Sequence, residues 1–159
     1  MDKILSEEQA ELKSNELRGK GLKVVLVGGC FDLLHIGHIK FLKEAKKYGV
    51  VFVLLESDES VKKLKGDSRP LNPLGERAEI LASISYLDYI VPLEGIKSNR
   101  DYDKIVSEIK PDFIAITKGD TCESYKEKQA KNINAKIIAV TEKIKDKSSS
   151  KLIKLFKNI

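Results

Sequence analysis

The 159-residue chain has no tryptophan, only two cysteines, and aromatic residues at just 6% of its positions. Two thiols, Cys30 and Cys122, are too few for a disulfide framework, and a reducing compartment would keep both free. So few rings do not supply the stacking platform of single-strand nucleic-acid binders. Long apolar runs are missing as well. Nothing approaches the roughly 18 residues of a membrane helix, and the opening MDKILSEEQAEL lacks the apolar core of a signal peptide. A cytoplasmic protein without a membrane partner is therefore expected. Neither G-x-G-x-x-G nor G-x-x-x-x-G-K-[ST] occurs, which excludes the dinucleotide fingerprint and the P-loop.

What is present reads as a globular chain, with 42% hydrophobic and 33% charged residues. At roughly 100 to 200 residues per domain, one domain over 1–159 is expected, with an N-terminal helix in 1–20 and a catalytic core in 21–159. The net charge of +5 comes mostly from residues 141–159, which hold six Lys against two acids. A basic C-terminal helix is not by itself a nucleic-acid footprint, and only four of the 29 cationic residues are Arg. No nucleic-acid partner is expected.

Ser6 and Gln9 are spaced as a capping box for the opening helix. Short apolar runs then alternate with stretches of helical period, the pattern of an α/β fold. The runs Leu22–Val27, Val50–Leu55, Tyr89–Leu93, Phe113–Ile116 and Lys136–Val140 are rich in β-branched residues and carry no polar alternation. They read as about five strands of a parallel sheet covered by helices on both faces. Helical faces follow from His38, Phe41, Leu42 and Ala45, from Tyr102, Ile105, Val106 and Ile109, and from Leu152, Leu155, Phe156 and Ile159. Gly49 and Pro111 stand where helices stop.

In such a sheet, ligands gather outside the carboxyl ends of the strands. The segment Gly28-Gly29-Cys30-Phe31-Asp32-Leu33-Leu34-His35-Ile36-Gly37-His38 leaves the first strand, enters a helix and contains both histidines of the chain. Glycines there permit close backbone approach, and the free N–H groups of a helix start favour an anion. His35 and His38 are placed to donate ring N–H groups to phosphate oxygens. Cys30, His35 and His38 are also zinc-type donors, but no fourth ligand is evident and no metal centre is assigned.

A second constellation runs from Lys62 to Arg77. Asn72-Pro73 starts a helix on which Arg77, Ile80, Leu81 and Ile84 share a face, so Arg77 points inward and must meet a carboxylate or a ligand anion. Lys65 and Arg69 are further phosphate candidates, or else part of a solvated face. Thr117-Lys118-Gly119-Asp120 reads as a turn or a ligand contact, and Ser148-Ser149-Ser150 as a helix cap or a ligand contact.

The turn 29–38 resembles the H-x-G-H signature of the cytidylyltransferase-like nucleotidyltransferases. Together with Lys65-Gly66-Asp67-Ser68-Arg69-Pro70-Leu71-Asn72-Pro73 and Glu76-Arg77, it most resembles the adenylyltransferase domain of bacterial heptose-1-phosphate (ADP-heptose) synthesis, over about residues 5–155. Glycerol-3-phosphate cytidylyltransferases and archaeal-type FAD synthases share the turn but resemble 65–77 less. This chain departs from the heptose enzymes in reading Thr117-Lys118-Gly119-Asp120 for Lys-Gly-Gly-Asp, and Ser148-Ser149-Ser150 for Ser-Thr-Thr.

The resemblance implies a Rossmann-like fold and transfer of AMP from ATP to a sugar 1-phosphate, with release of pyrophosphate. CTP with glycerol 3-phosphate, ATP with FMN, and a nucleotide-binding module without turnover are the alternatives. It implies Mg²⁺ on the triphosphate, a possible homodimer, and catalytic roles for His35, His38 and Lys65. Nucleotide contacts would come from Gly28, Gly29, Cys30, Phe31, Gly37, Ser148, Ser149 and Ser150 as well as the histidines. Acceptor or phosphate contacts would come from Asp32, Arg69, Arg77, Lys118 and Asp120.

Overall fold

The computed structural model describes residues 2–144 and 148–156. Among them the elements run α1 (Glu7–Gly19), β1 (Val24–Gly29), α2 (Ile36–Lys46), β2 (Val50–Leu55), α3 (Asp58–Lys65), α4 (Leu74–Ala82) and β3 (Tyr89–Pro92). They continue with α5 (Asn99–Ile109), β4 (Phe113–Thr117), α6 (Glu123–Asn132), β5 (Lys136–Thr141) and α7 (Ser149–Phe156). The five expected strands form one parallel sheet in the order β3-β2-β1-β4-β5, a Rossmann-like arrangement. None of the described helices is long and apolar enough to cross a membrane.

The strands read as continuous apolar runs because each face of the sheet is buried under helices. Along β1, Val24 and Leu26 enter a core with Ala10 and Leu17 of α1, Ile105 and Ile109 of α5 and Ala130 of α6. Val25 and Val27 point the other way, to Leu42 and Ala45 of α2 and Ala78 and Leu81 of α4. Helix α1 starts at the expected capping box, with the Gln9 N–H donating to Ser6 Oγ at 3.2 Å and the Ser6 N–H to Gln9 Oε1 at 2.9 Å. Its other end caps α5, since Arg18 Nη1 donates to the carbonyls of Ile109 and Lys110 at 2.8 Å each and Ser14 Oγ donates to Ile109 O.

Three features differ from the sequence reading. The N-terminal segment pairs with the outer edge of β3, where Leu5 N–H donates to Ile90 O and Ile90 N–H to Lys3 O, both at 2.8 Å. On α4 the inward face is Arg77, Ala78 and Leu81, while Ile80 is 42% exposed, because the helix lies with its i, i+1, i+4 stripe on the sheet. On α7, Leu155 is 65% exposed rather than part of a packed apolar face, and Ile159 lies outside the described residues.

Gly49 stops α2 as expected, and packing adds a second requirement there. A Cβ at this position would meet the Lys23 carbonyl oxygen at 2.3 Å. Gly49→Ala should therefore cost about 1–3 kcal/mol in urea unfolding, the range for forcing atoms into a packed site. Gly75→Ala, in α4 with open space around it, should be neutral or stabilising by up to about 1 kcal/mol.

Candidate active site

Between β1 and α2 the chain turns sharply at Phe31, whose φ of 43° is the left-handed step of the segment. Gly28 and Gly29 remain in the strand, and neither takes a positive φ. Gly29 is needed for space, because a Cβ there would lie 2.9 Å from the buried Phe31 ring. Gly37 has a similar reason, since its Cβ would lie 2.8 Å from the His35 ring.

The two histidines cap α2 reciprocally. His35 is the N-cap residue and its Nδ1 accepts the Gly37 N–H at 3.1 Å, while His38 Nδ1 accepts the His35 N–H at 3.3 Å. This is a capping box built from imidazoles, with ring centroids 3.9 Å apart. Each Nδ1 is an acceptor, so the proton of each neutral ring sits on Nε2. Burial lowers the pKa of His35; burial, together with the neighbouring His35, lowers that of His38 to about 4. Near neutral pH the turn thus offers two uncharged N–H donors.

Both rings line a cavity of about 540 Å³ at the carboxyl ends of β1, β4 and β5, as do Gly28, Gly29, Cys30, Phe31 and Gly37. Its far wall includes Thr117, Asp120 and Ser148, and also Lys126, Thr141, Glu142, Lys143 and Lys151, which the sequence reading did not assign to the site. The β4–β5 register shifts between Ile116 and Thr117, which sets Thr117 opposite Thr141 at the rim. Asp120 pairs with Lys126 at 2.7 Å and accepts the Cys122 N–H at 2.7 Å. Burial pushes its carboxyl up, but these partners outweigh burial and hold it below the usual range. Burial, and then Glu56, push the Cys30 thiol up, so it is no thiolate at neutral pH.

The remaining candidates stand behind or beside the cavity. Asp32 has a fully buried side chain: Oδ2 takes Arg69 Nε at 2.5 Å, and Oδ1 takes the N–H groups of Leu71 and Asn72 at 2.8 and 3.1 Å. Arg77 has no accessible side-chain surface. Its guanidinium donates to Asn72 O at 3.0 Å, Cys30 O at 2.7 Å and Asp58 Oδ1 at 2.7 Å. Of the two partners open to it, Arg77 uses an internal carboxylate, and neither Arg77 nor Asp32 lines the cavity. Ser149 Oγ donates to Leu33 O at 2.6 Å, Ser150 Oγ accepts from Arg69 Nη1 at 3.4 Å, and neither lines the cavity. Lys65 is exposed at the end of α3, and Lys118 is exposed beside Glu142 at 3.2 Å, both off the cavity wall. Among the described residues, no three His, Cys, Asp or Glu side chains gather as a metal cage.

The lowered His38 pKa has a sign that can be tested. Below its ordinary value of 6.5 the unfolded chain takes the proton first, so stability present above pH 6.5 is lost as pH falls toward about 4. His38→Gln keeps an acceptor at the same capping position and removes the titration. The stability difference between wild type and variant, measured by urea unfolding, should change by on the order of 2–3 kcal/mol between pH 6.5 and 4 and stay flat above pH 7.

The chain and its fold have counterparts among known proteins. The bifunctional protein HldE of a Nitratiruptor species is 38% identical over 148 residues, covering 92% of this chain and 30% of that one. HldE of Aliarcobacter butzleri is 45% identical over 114 residues, covering 71% and 23%. The chain thus spans less than a third of the length of these relatives. A lipopolysaccharide core biosynthesis protein from Thermoplasma volcanium superposes with a TM-score of 0.65 at 25% identity, over 78% of this chain and all of that one. Pantoate-beta-alanine ligase from Francisella tularensis shares the fold, with a TM-score of 0.59 at 22% identity over 85% of this chain and 65% of its own. The cytidylyltransferase-like model matches residues 26–155, from within β1 to the end of α7. The chain belongs to the cytidylyltransferase-like family of nucleotidyltransferases.

Proposed function

We propose that the protein transfers AMP from ATP to a sugar 1-phosphate, with D-glycero-D-manno-heptose 1-phosphate as the acceptor, and releases pyrophosphate. The observation that carries this reading is the pair of Nε2–H donors at the start of α2, facing a cavity large enough for a nucleotide. The 38–45% identity to HldE proteins favours the heptose branch over CTP with glycerol 3-phosphate or ATP with FMN.

An acceptor phosphate is already ionised, so attack on the α-phosphorus needs no general base. One of its oxygens forms the new bond to the α-phosphorus, the bond from that phosphorus to the bridging oxygen breaks, and pyrophosphate leaves with the electron pair. The protein's work is to position both phosphates and stabilise charge. His35 and His38 donate to phosphate oxygens at the positive end of α2. Lys126, Lys143, Lys151 and Ser148 face the nucleotide from the far wall, with Ser149 and Ser150 holding the start of α7 against the turn. Arg77 acts through the Asn72 and Cys30 carbonyls it holds, Arg69 through its buried pair with Asp32, and Lys65 and Lys118 act from outside the cavity wall. A Mg²⁺ accompanying the triphosphate would neutralise part of its charge, phosphate oxygens being the hard donors this ion prefers.

Purified protein with Mg²⁺, ATP and the heptose 1-phosphate should release pyrophosphate, and silence with every sugar 1-phosphate would overturn the reading. CTP with glycerol 3-phosphate, and ATP with FMN, should each give far slower release. His35→Ala and His38→Ala should each lower kcat by about 10²-fold or more, the scale for loss of one preorganised donor.

A further inference from the structure

We propose that Glu56 and Tyr102 form the subsite that recognises hydroxyl groups of the acceptor's sugar. This rests on the sugar-phosphate reading above and extends it to the half of the sheet that the cavity leaves open. The cavity is walled by β1, β4, β5 and the start of α7, whereas β2 and β3 lie on the opposite side of β1. With the nucleotide on the β4–β5 side, an acceptor whose phosphate reaches the histidine turn extends its sugar toward the ends of β2 and β3.

Glu56 stands there, directly after β2. Its N–H donates to Gly29 O at 3.1 Å, which fixes it beside Cys30 at the cavity's edge. Tyr102 reaches it from α5, the helix that follows β3, and donates its phenol to Glu56 Oε2 at 2.5 Å. Both side chains are half-buried, and Glu56 forms no ion pair among the described residues. Its Oε1 has no hydrogen-bond partner among them. Burial, and then Glu56, push the Tyr102 phenol well above its ordinary range, so it remains an O–H donor. Ser60 of α3 stands beside the phenol, and Ser57 Oγ donates to Ser60 Oγ at 3.2 Å.

The chemistry of this group selects its ligand. A carboxylate without a cation repels phosphate but accepts O–H groups, and the neutral hydroxyls around it both donate and accept. That is the complement of a polyol. Such a pair should set which sugar is used, because a site built to hydrogen-bond a hydroxyl rejects the analogue that lacks it.

The test is steady-state kinetics with ATP and the heptose 1-phosphate, using Tyr102→Phe and Glu56→Gln. Each should raise KM for the sugar phosphate about 10- to 100-fold, the scale for a hydrogen bond to a charged group. KM for ATP and the melting temperature should stay close to wild type. With acceptors lacking one hydroxyl each, wild type should penalise at least one analogue about tenfold or more, and Glu56→Gln should abolish that penalty. Tyr102→Phe removes a single oxygen and serves if Glu56→Gln fails to fold. Sugar-phosphate turnover with unchanged acceptor KM in the variants would overturn the subsite and leave the activity standing. A lowered melting temperature with the deoxy penalty intact would reduce the pair to a structural link. Absence of wild-type turnover with every sugar 1-phosphate would overturn the activity itself, and the subsite with it.

Discussion

The buried carboxylate of Asp32 is the interaction on which the geometry of the turn depends. It draws Arg69 and the main chain of Leu71 and Asn72 onto the segment leaving β1, and the Asn72 side chain returns a hydrogen bond to Asp32 O at 3.2 Å. Removing one member of such a set leaves a charge buried without a partner, a loss typically of about 3–5 kcal/mol, so the set holds together or fails together. Arg77 extends the same network from α4, joining the Cys30 carbonyl, the Asn72 carbonyl and Asp58. The 69–77 stretch is thus a brace for the histidine turn, its two arginines standing behind the cavity.

The brace matters because the histidines are held neutral. A charged imidazolium would attract a triphosphate more strongly in the ground state, but it would attract substrate and product alike. In the proposed reaction, two fixed N–H groups at a helix start would interact more strongly as charge develops on the transferring phosphoryl, and would need no reorganisation at that moment. The capping bonds to Nδ1 set ring orientation and tautomer together, so the same two contacts that start α2 also aim its donors.

Much of this was legible in the chain. The five strands could be read because a sheet covered on both faces leaves no polar alternation, and the H-x-G-H turn announced itself by gathering both histidines between glycines. Less legible was the far wall. Lys126, Glu142 and Lys143 look like ordinary surface charges in sequence; the β4–β5 pairing with its register shift brings Glu142 and Lys143 round the rim, and Lys126 is held there from α6 by its pair with Asp120. Arg77 was legible as an inward cation but its partner was not, because Asp58 sits 19 positions upstream on a different helix. Ile80 was misplaced because helical spacing alone does not fix how far a short helix is rolled on the sheet. The pairing of Lys3 and Leu5 with β3 joins segments some 85 residues apart, which no local pattern reveals.

That N-terminal pairing bears on how the sheet meets other chains. A four-residue strand at the margin of a parallel sheet is where a foreign strand can add, and here the first few residues already occupy the place. On the opposite margin, β5 carries exposed Lys136 at its start and is followed by exposed Glu142 and Lys143, charges that discourage continuation of the ladder. Both margins of the sheet are thereby closed to edge-to-edge growth, one by pairing and the other by charge.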